Sequence, residues 1–409
     1  MSIEVPVCLD LSRLVARVGR GPWTGLDRVE LAWLRRILRE DRAFALVRMR
    51  TGFALLDRAG VQGLADRLTG AVPWGRPDLR ARLTPGMPDF LGRLESDLRR
   101  LAVATCPHPL LKRLLKLHIP AGTVYLNVGH ANLTLSVFQA WAAQAGTRVV
   151  VMIHDTIPLT HPETVGQRDT DAFAQALQLV GDGAHLVIYN SDHTRGEAES
   201  RFAARGRLPR SVVAPPGVEV AVPDSTLVPA DLPGDAPYFV TLGTIEPRKN
   251  HALLLDVWED FHQHLPEAEI PRLLILGNRG WKNRETFARL DTLPFTGRTV
   301  IERASLPDGA VAALIDGAAG LLHPSLAEGF GYPPAEALAL GTPAICSDLP
   351  VYREILGDLP VYLPPDDRYQ WGDAIQEMAA QHKAGQRHGQ RIETLPTWDD
   401  HFSLVLSKV

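Results

Sequence analysis

Two glutamates, Glu328 and Glu336, flank a glycine-rich loop in the segment HPSLAEGFGYPPAEALALG, with seven residues between them. The preceding run GLLHPS (320–325) predicts a strand, while Pro333 and Pro334 suit the first turn of a helix, where a missing N–H is harmless. The loop therefore brings backbone N–H groups and a helix N-terminus to the carboxyl end of a strand, an arrangement that binds phosphate. Either glutamate alone is explained as a solvated loop acid or a first-turn acid favoured by the helix dipole. Together they predict carboxylates that accept hydrogen bonds from sugar or ribose hydroxyls.

Further polar residues follow other predicted strands. Arg248 and Lys249 lie in LGTIEPRKNH (242–251) and could neutralise a phosphate, although either could also be a solvated surface charge. His154 ends a buried run in IHDTIPLTHPE (153–163), where a histidine is otherwise most often structural. In open α/β sheets ligands bind outside the carboxyl ends of the strands, so these residues are candidates for one site.

The elements that must position these residues are parallel strands alternating with helices. Continuous apolar runs, typical of strands covered on both faces, predict strands at 5–12, 123–129, 148–155, 185–191, 211–216, 238–244, 273–278, 299–305, 320–325 and 343–348. Helical periodicity predicts helices at 25–40, 134–145, 170–180, 193–205, 250–264, 308–318 and 334–340. This repetition predicts an α/β fold with two doubly wound parallel sheets facing each other across a cleft. Between about 53 and 120 the alternation is lost in an Arg-rich stretch that is helical in pattern.

The domain boundaries follow from composition. We predict an N-terminal domain at 1–220, a proline-rich linker at 221–236 and a C-terminal domain at 237–389. Residues 390–409, which include Trp398, are predicted to form a helix that crosses back to the first domain.

Length and charge limit the class of protein. The 409 residues are 45% hydrophobic and 22% charged, which excludes a disordered chain. The net charge of −4 hides an imbalance, because residues 1–225 hold 28 Lys and Arg against 22 Asp and Glu, whereas 226–409 hold 15 against 25. The segment LLKRLLKLHI predicts a cationic amphipathic helix, which either packs its leucines on the domain or lies on an anionic membrane surface. No feature predicts a nucleic-acid partner.

Several patterns count against other chemistry. The chain has three widely spaced cysteines, no zinc-binding His/Cys pattern and no phosphate-binding lysine loop of the GxxxxGK type. Asp169 and Asp171 form an Asp-x-Asp sequence, a pattern that can bind a metal ion together with a nucleotide. Here the two residues follow a polar loop and are predicted to begin a helix, so we expect no required metal. The N-terminus carries no signal-peptide pattern, which predicts a cytoplasmic location.

The glutamate pair resembles the signature of glycosyltransferase family 4, because it is embedded in PS-x-x-EGFG-x-P-x-x-EA-x-A-x-G-x-P. The resemblance extends over nearly all of residues 120–360. It implies the two-domain GT-B fold and a retaining enzyme that uses a nucleotide-sugar donor. Retention implies that the leaving phosphate receives the acceptor proton on the same face of the sugar.

The resemblance also implies roles for residues of the second domain. Lys249 matches the lysine that binds the donor diphosphate, and Glu328 and Glu336 are expected to hold the sugar and the ribose. The family often has an arginine where this chain has Thr244, and Arg248 is our candidate for the missing cation. The further donor-binding candidates are Gly243, Thr244, Asn278, Gly329, Phe330, Gly331 and Tyr332.

On the side of the first domain, His154 matches the histidine that lies near the reacting sugar. With Glu328, Arg248 and Lys249 it makes up the predicted catalytic set. The candidates on the acceptor side are Gly25, Asp155, Asn190 and Ser191, and Gly25 is expected to approach the donor phosphates or the acceptor closely.

The sequence leaves substrates and some alternatives open. The segments IHDTIPL and GTIEPRKN look like those of mannosyltransferases of surface-polysaccharide assembly. This favours GDP-mannose as donor and a saccharide or polyprenyl-linked saccharide as acceptor, while a UDP-sugar or dTDP-rhamnose fits the same loops. The alternatives are a GT-B sugar phosphorylase or nucleotide-sugar epimerase, and a non-catalytic subunit that binds a sugar nucleotide.

Overall fold

The structure is a computed structural model that describes residues 5–232, 236–386, 389 and 391–409. In this part of the chain two α/β domains are each built on their own sheet, one of eight strands and one of six. Positions 1–4 of the predicted first domain and 233–235 of the predicted linker lie outside the described residues. So do positions 387, 388 and 390, around the predicted end of the second domain.

The first sheet has the strand order β4-β3-β2-β1-β5-β6-β7-β8. Its strands are β1 Val7–Asp10, β2 Ala43–Met49, β3 Gly52–Leu56, β4 Ala104–Cys106, β5 Val124–Asn127, β6 Arg148–Ile153, β7 Leu186–Tyr189 and β8 Arg210–Val213. The five predicted strands of this half are confirmed. The sequence analysis missed β2, β3 and β4, of which β3 runs antiparallel to both of its neighbours. The doubly wound parallel sheet therefore ends in a mixed edge.

Helices cover both faces of this sheet. They are α1 Ser12–Arg17, α2 Gly25–Ile37, α3 Arg58–Leu68, α4 Leu79–Leu83, α5 Asp89–Leu101, α6 Leu111–His118, α7 Leu135–Ala142, α8 Ile157–Thr160, α9 Gln167–Gly183 and α10 Asp192–Ala203. Apolar side chains of α1, α2, α3 and α5 pack on one face, and those of α6, α7, α9 and α10 pack on the other. Burial on both faces explains why the inner strands are continuous apolar runs.

The second sheet is parallel throughout, with the order β11-β10-β9-β12-β13-β14. Its strands are β9 Tyr238–Leu242, β10 Arg272–Leu276, β11 Val300–Arg303, β12 Gly320–His323, β13 Ala344–Ser347 and β14 Val361–Leu363. Its helices are α11 His251–His264, α12 Arg284–Thr292, α13 Asp308–Asp316, α14 Tyr332–Leu340, α15 Pro350–Leu356 and α16 Arg368–Lys383. The predicted strands are confirmed, whereas β14, α12, α15 and α16 were not predicted.

The last helix, α17 Trp398–Leu406, packs on the first domain. The Trp33 indole Nε1 donates to His401 Nε2 at 3.1 Å, and His401 Nδ1 lies 2.9 Å from the Ala214 carbonyl oxygen. Phe402 and Val405 enter the same apolar core as Trp33. A neutral imidazole satisfies both contacts, since it donates through Nδ1 and accepts through Nε2.

Protonation of His401 therefore opposes folding. Burial lowers the pKa of His401 to about 4, whereas an unfolded histidine titrates near 6.5. Between these values the unfolded chain binds a proton that the folded chain does not, so stability is present above pH ~6.5 and is lost as the pH falls toward 4.

We predict that His401→Gln flattens the fall in melting temperature between pH 7 and pH 5, measured by calorimetry. The exposed His118→Gln is the matched control and keeps the wild-type slope. Equal slopes in wild type, His401→Gln and His118→Gln would contradict the prediction.

Candidate active site

A buried group of charges lies where β9 and β12 end, because these two strands are neighbours in the second sheet. A 3-10 turn, Pro247–Lys249, places Arg248 and Lys249 after β9. The loop after β12 supplies Glu328, whose Oε2 lies 2.8 Å from Arg248 Nη1. Lys249 Nζ pairs with the other carboxylate oxygen, which also accepts from Ser325 Oγ at 2.9 Å. The sequence-predicted cations and Glu328 are thus brought together.

The electrostatics of this group follow from its burial. Burial alone raises the pKa of the Glu328 carboxyl, but Arg248 and Lys249 hold that pKa well below its usual range. Burial lowers the pKa of Lys249 although Glu328 opposes the shift. Glu246, 2.7 Å from Arg248 Nε, has its pKa raised by burial against the effect of the same cations. The cations Arg248 and Lys249 are therefore held here at a desolvation cost. An anionic ligand that binds them would have little water to displace.

The glycine loop leads into α14 as the sequence predicts. Gly331 has φ +100° and caps the helix, a conformation that favours glycine. Pro333 and Pro334 lie in the first turn. Glu336 is the fifth residue of the helix and so lies in the second turn, where the sequence analysis had expected the first. Its position is set less by the helix dipole than by a partner from the other domain.

That partner is Arg28 of α2, whose Nη1 lies 2.5 Å from Glu336 Oε1. Burial raises the pKa of Glu336, and Arg28 opposes this rise. In the segment WTGLDRVE (23–30), which begins α2, the sequence analysis named only Gly25. Residues three apart on a helix share one face, so the spacing of Gly25 and Arg28 could have indicated that Arg28 faces the same way as Gly25.

The two domains touch where Gly329 meets the end of β6. A Cβ built on Gly329 would lie 2.2 Å from the His154 carbonyl oxygen, so no larger residue fits without a shift. His154 Nε2 lies 2.7 Å from the Val128 carbonyl oxygen. Burial and the nearby His130 lower the pKa of His154 well below its usual value. The imidazole is therefore neutral, with Nε2 donating to Val128.

The other acceptor-side candidates make contacts within the first domain. Asn190 Nδ2 donates to the His154 carbonyl at 2.7 Å, and Ser191 Oγ caps α10 by accepting from the Thr194 N–H at 3.0 Å. Both side chains are buried, and the role on the acceptor side that the sequence analysis gave them stays a prediction. Asp155 accepts from the Ile157 N–H at 3.0 Å, and burial raises its pKa against the opposing charge of Arg248.

The remaining donor-side candidates lie in the loops after β9, β10 and β12. Gly243 lies beside the Lys249 side chain. The Thr244 methyl group packs against Gly280, and the Asn278 carbonyl accepts from the Ile245 N–H at 2.9 Å. The Phe330 and Tyr332 rings are in contact, 5.0 Å apart between centroids. In the described ranges no group of three or more His, Cys, Asp and Glu is placed to hold a metal ion.

A second interdomain contact also escaped the sequence analysis. The Glu354 carboxylate of α15 accepts from the backbone N–H groups of Asp192 and His193, at 2.6 and 2.9 Å. These N–H groups begin α10 in the first domain, where a carboxylate is favoured by the helix dipole. The carboxyl edges of the two sheets are thus held against each other at several points.

Comparisons with known proteins agree with this architecture. Anabaena HepE, solved in complex with UDP and glucose, has a TM-score of 0.59 at 15% identity, covering 99% of this chain and 95% of that one. Sucrose-phosphate synthase from Thermosynechococcus elongatus has a TM-score of 0.61 at 15% identity, covering 98% and 95%. At these identities the likeness shows the fold alone, and that fold is GT-B.

Sequence comparisons define the family of the second domain. Residues 228–393 match the family described as Glycosyl transferases group 1, and they form a domain of that family. The serotype-specific mannosyltransferase WbdA of Escherichia coli is 24% identical over 283 residues, covering 65% of this chain and 34% of WbdA. The O-antigen chain mannosyltransferase RfbU of Salmonella typhimurium is 31% identical over 144 residues, covering 34% of this chain and 38% of RfbU. The chain thus spans about a third of the length of these two relatives.

We predict that Gly329→Ala disrupts the contact between the domains, because its methyl group would collide with the His154 carbonyl. Overpacking of this kind costs about 1–3 kcal/mol, and we expect a lower melting temperature. The control is Gly196→Ala in α10, where an added Cβ meets nothing within 4 Å. A Gly329→Ala protein as stable as the Gly196→Ala protein would show that the contact is not close.

Proposed function

We propose that the protein is a retaining glycosyltransferase that moves a sugar, with mannose favoured, from a nucleotide-diphosphate sugar to a saccharide or lipid-linked saccharide in surface-polysaccharide assembly. The observation that carries the proposal is the group of Arg248, Lys249 and Glu328, largely buried beside the glycine loop that begins α14. Two cations, backbone N–H groups and a carboxylate are the groups that a diphosphate linked to a sugar requires.

In the proposed complex the diphosphate binds Lys249 and Arg248. It competes with Glu328 for both cations, and the Glu328 carboxylate turns to accept hydrogen bonds from the sugar hydroxyls. The cations stabilise the charge that develops on the leaving phosphate as the bond between the anomeric carbon and the phosphate oxygen breaks. The protein's main contribution is then position and electrostatics.

Retention of configuration is part of the proposal. The acceptor oxygen bonds to the anomeric carbon on the face that the phosphate leaves, and the acceptor proton passes to the leaving phosphate oxygen. No protein nucleophile and no metal is required in this scheme. His154 is neutral and its Nε2 donates to the Val128 carbonyl, so its Nδ1 is the ring atom that can accept a hydrogen bond from a sugar hydroxyl on the side of the first domain.

The choice of donor rests on the relatives. WbdA and RfbU are both named mannosyltransferases, which favours GDP-mannose, while a UDP-sugar or dTDP-sugar remains an outcome of the test. The names also favour a saccharide acceptor of the O-antigen type, free or polyprenyl-linked.

We predict that Lys249→Ala weakens binding of the preferred nucleoside diphosphate by about 10- to 100-fold, since it removes a charged hydrogen-bond donor. Glu328→Gln should lower kcat more than it changes KM for the donor, because the sugar contact matters most in the transition state. Calorimetry with GDP, UDP and dTDP measures binding, and release of nucleotide from the matched sugar nucleotides measures turnover.

Lys383→Ala serves as the control, because this lysine is exposed at the end of α16 in the same domain, away from the charged group. Wild-type binding and turnover in both site variants would overturn the proposed roles. Turnover that requires free phosphate would favour a phosphorylase, and binding with no turnover on any saccharide acceptor would favour a non-catalytic subunit.

We further propose a cytoplasmic protein that contacts the inner face of an anionic membrane through the first domain. Helix α6 buries Leu111, Leu114 and Leu115, so its leucine face packs on the domain. Its exposed face carries Lys112, Arg113, Lys116 and the 66%-exposed Leu117.

On α4, Leu79 and Leu83 are 74% and 79% exposed and flank two arginines. Exposed leucines beside basic residues suit the headgroup region of an anionic bilayer. No helix in the described part of the chain is long and apolar enough to cross a bilayer.

We predict that the wild-type protein sediments with vesicles containing anionic phospholipid at low salt and less so at high salt. Each Lys or Arg near such a surface contributes about 1 kcal/mol, so replacing Lys112, Arg113 and Lys116 together by Ser should greatly reduce sedimentation. The control replaces Arg284, Arg298 and Arg368, three exposed bases of the second domain, by Ser. Sedimentation that ignores salt, lipid charge and the first triple change would refute membrane contact through this face.

A further inference from the structure

Helices α2 and α14 face each other across the cleft through two matched pairs of residues. Gly25 and Arg28 lie one turn apart on α2, and Tyr332 and Glu336 lie one turn apart on α14. A Cβ built on Gly25 would lie 2.8 Å from the Tyr332 ring, so the helices approach too closely there for a larger residue. This close approach brings Arg28 within reach of Glu336, at 2.5 Å between Nη1 and Oε1.

The ring of Tyr332 fills the space that a side chain at position 25 would need. The expected approach of Gly25 to the donor phosphates or the acceptor stays a prediction. Asp27 accepts from the Thr24 N–H at 2.7 Å and fixes the start of α2. Gly25 lets that helix end reach the second domain, and Arg28 is the residue that makes the polar contact.

The charge at Glu336 depends on Arg28. Glu336 is 8% exposed, and the charged or titratable groups that face it are Arg28 from α2, Asp308 at the start of α13 and Tyr332 from its own helix. Burial and the like charge of Asp308 raise the pKa of Glu336, and of these groups Arg28 alone lowers it. Asp308 lies 3.7 Å from Arg28 and its side chain is 70% exposed.

We propose that Arg28 is a positioning residue of the nucleotide site: it reaches from the first domain to hold the Glu336 carboxylate oriented as a hydrogen-bond acceptor for the ribose hydroxyls. This inference rests on the proposed function, which assigns the ribose to Glu336. Arg28 bonds one carboxylate oxygen, Oε1, which leaves Oε2 to accept from the ligand.

The arrangement couples nucleotide binding to contact between the domains. The ribose acceptor lies in the second domain and the residue that orients it lies in the first, so the ribose site is complete only when α2 meets α14. By linkage, a ligand that uses the oriented carboxylate strengthens the domain contact as much as the contact strengthens ligand binding.

The test measures ribose recognition directly. Calorimetry at pH 6.0 to 8.5 compares GDP and UDP with their 2′,3′-dideoxy forms, using wild type, Arg28→Met, Arg28→Lys and Glu336→Gln. We expect Arg28→Met to weaken ribonucleotide binding about tenfold near pH 7 and to leave dideoxynucleotide binding unchanged. The affinity of Arg28→Met for the ribonucleotides should recover as the pH rises. Without Arg28 the pKa of Glu336 is higher than in the wild type, so the carboxyl loses its proton, and becomes a full acceptor again, only at higher pH.

Two further variants separate positioning from folding. Arg28→Lys keeps the charge, so it should keep the wild-type pH profile with an intermediate preference for ribose. The double variant Arg28→Met/Glu336→Gln should bind no more weakly than Glu336→Gln alone. Arg35→Met, an exposed arginine of the same helix, is the matched control and should behave as wild type.

The outcomes distinguish this inference from the proposed function. A wild-type protein that binds none of the nucleotides would overturn the proposed function. A wild-type protein that prefers ribonucleotides, with Arg28→Met showing the same preference and pH profile as Arg35→Met, would overturn the role of Arg28 alone. If Arg28→Met does not fold, an Arg28→Lys protein with the full wild-type ribose preference and unchanged affinity would overturn it as well.

Discussion

The site depends on one constraint, which is that the Glu328 carboxylate is ionised although it is largely removed from water. A buried carboxylate is costly unless cations and hydrogen-bond donors meet it. Here Arg248 and Lys249 supply the cations and Ser325 supplies a hydroxyl donor. The cations and the carboxylate come from loops after β9 and β12, and these loops meet because the strands are adjacent in a parallel sheet. The sheet order thus decides that a compact set of charges forms at its carboxyl edge.

Contact between the two carboxyl edges completes the site. Gly329 lies against the His154 carbonyl, Arg28 pairs with Glu336, and Glu354 accepts from the first N–H groups of α10. Each contact joins a residue of one domain to a residue of the other. The groups proposed to hold the sugar and the ribose are therefore positioned partly by the domain that does not carry them.

The sequence predicts the parts of this structure that local pattern encodes. Strands buried on both faces are continuous apolar runs, and the EGFG loop with Pro333 and Pro334 marks a helix start, so the core strands and the Glu328 loop were predicted correctly. Strands β2, β3 and β4 were missed: β4 has only three residues, and β3 and β4 lie within or beside the Arg-rich stretch in which alternation is lost. Arg28 and Glu336 are 308 residues apart in the sequence, and a local sequence pattern cannot predict that two residues so far apart are in contact. Asn190 and Ser191 were named as acceptor-side candidates from the family resemblance, but their side chains are buried and hydrogen-bond to backbone groups of their own domain.

The central claim is that a nucleoside diphosphate binds where β9 and β12 end and draws the two domains together. Amide hydrogen exchange with and without the preferred nucleoside diphosphate tests it most directly, because exchange reports local opening along the whole chain. The account predicts slower exchange in residues 243–250, in 325–336 and in the first turn of α2, with little change in α6 and α16. Protection confined to other segments, or none at a saturating concentration of a nucleotide that binds, would contradict it.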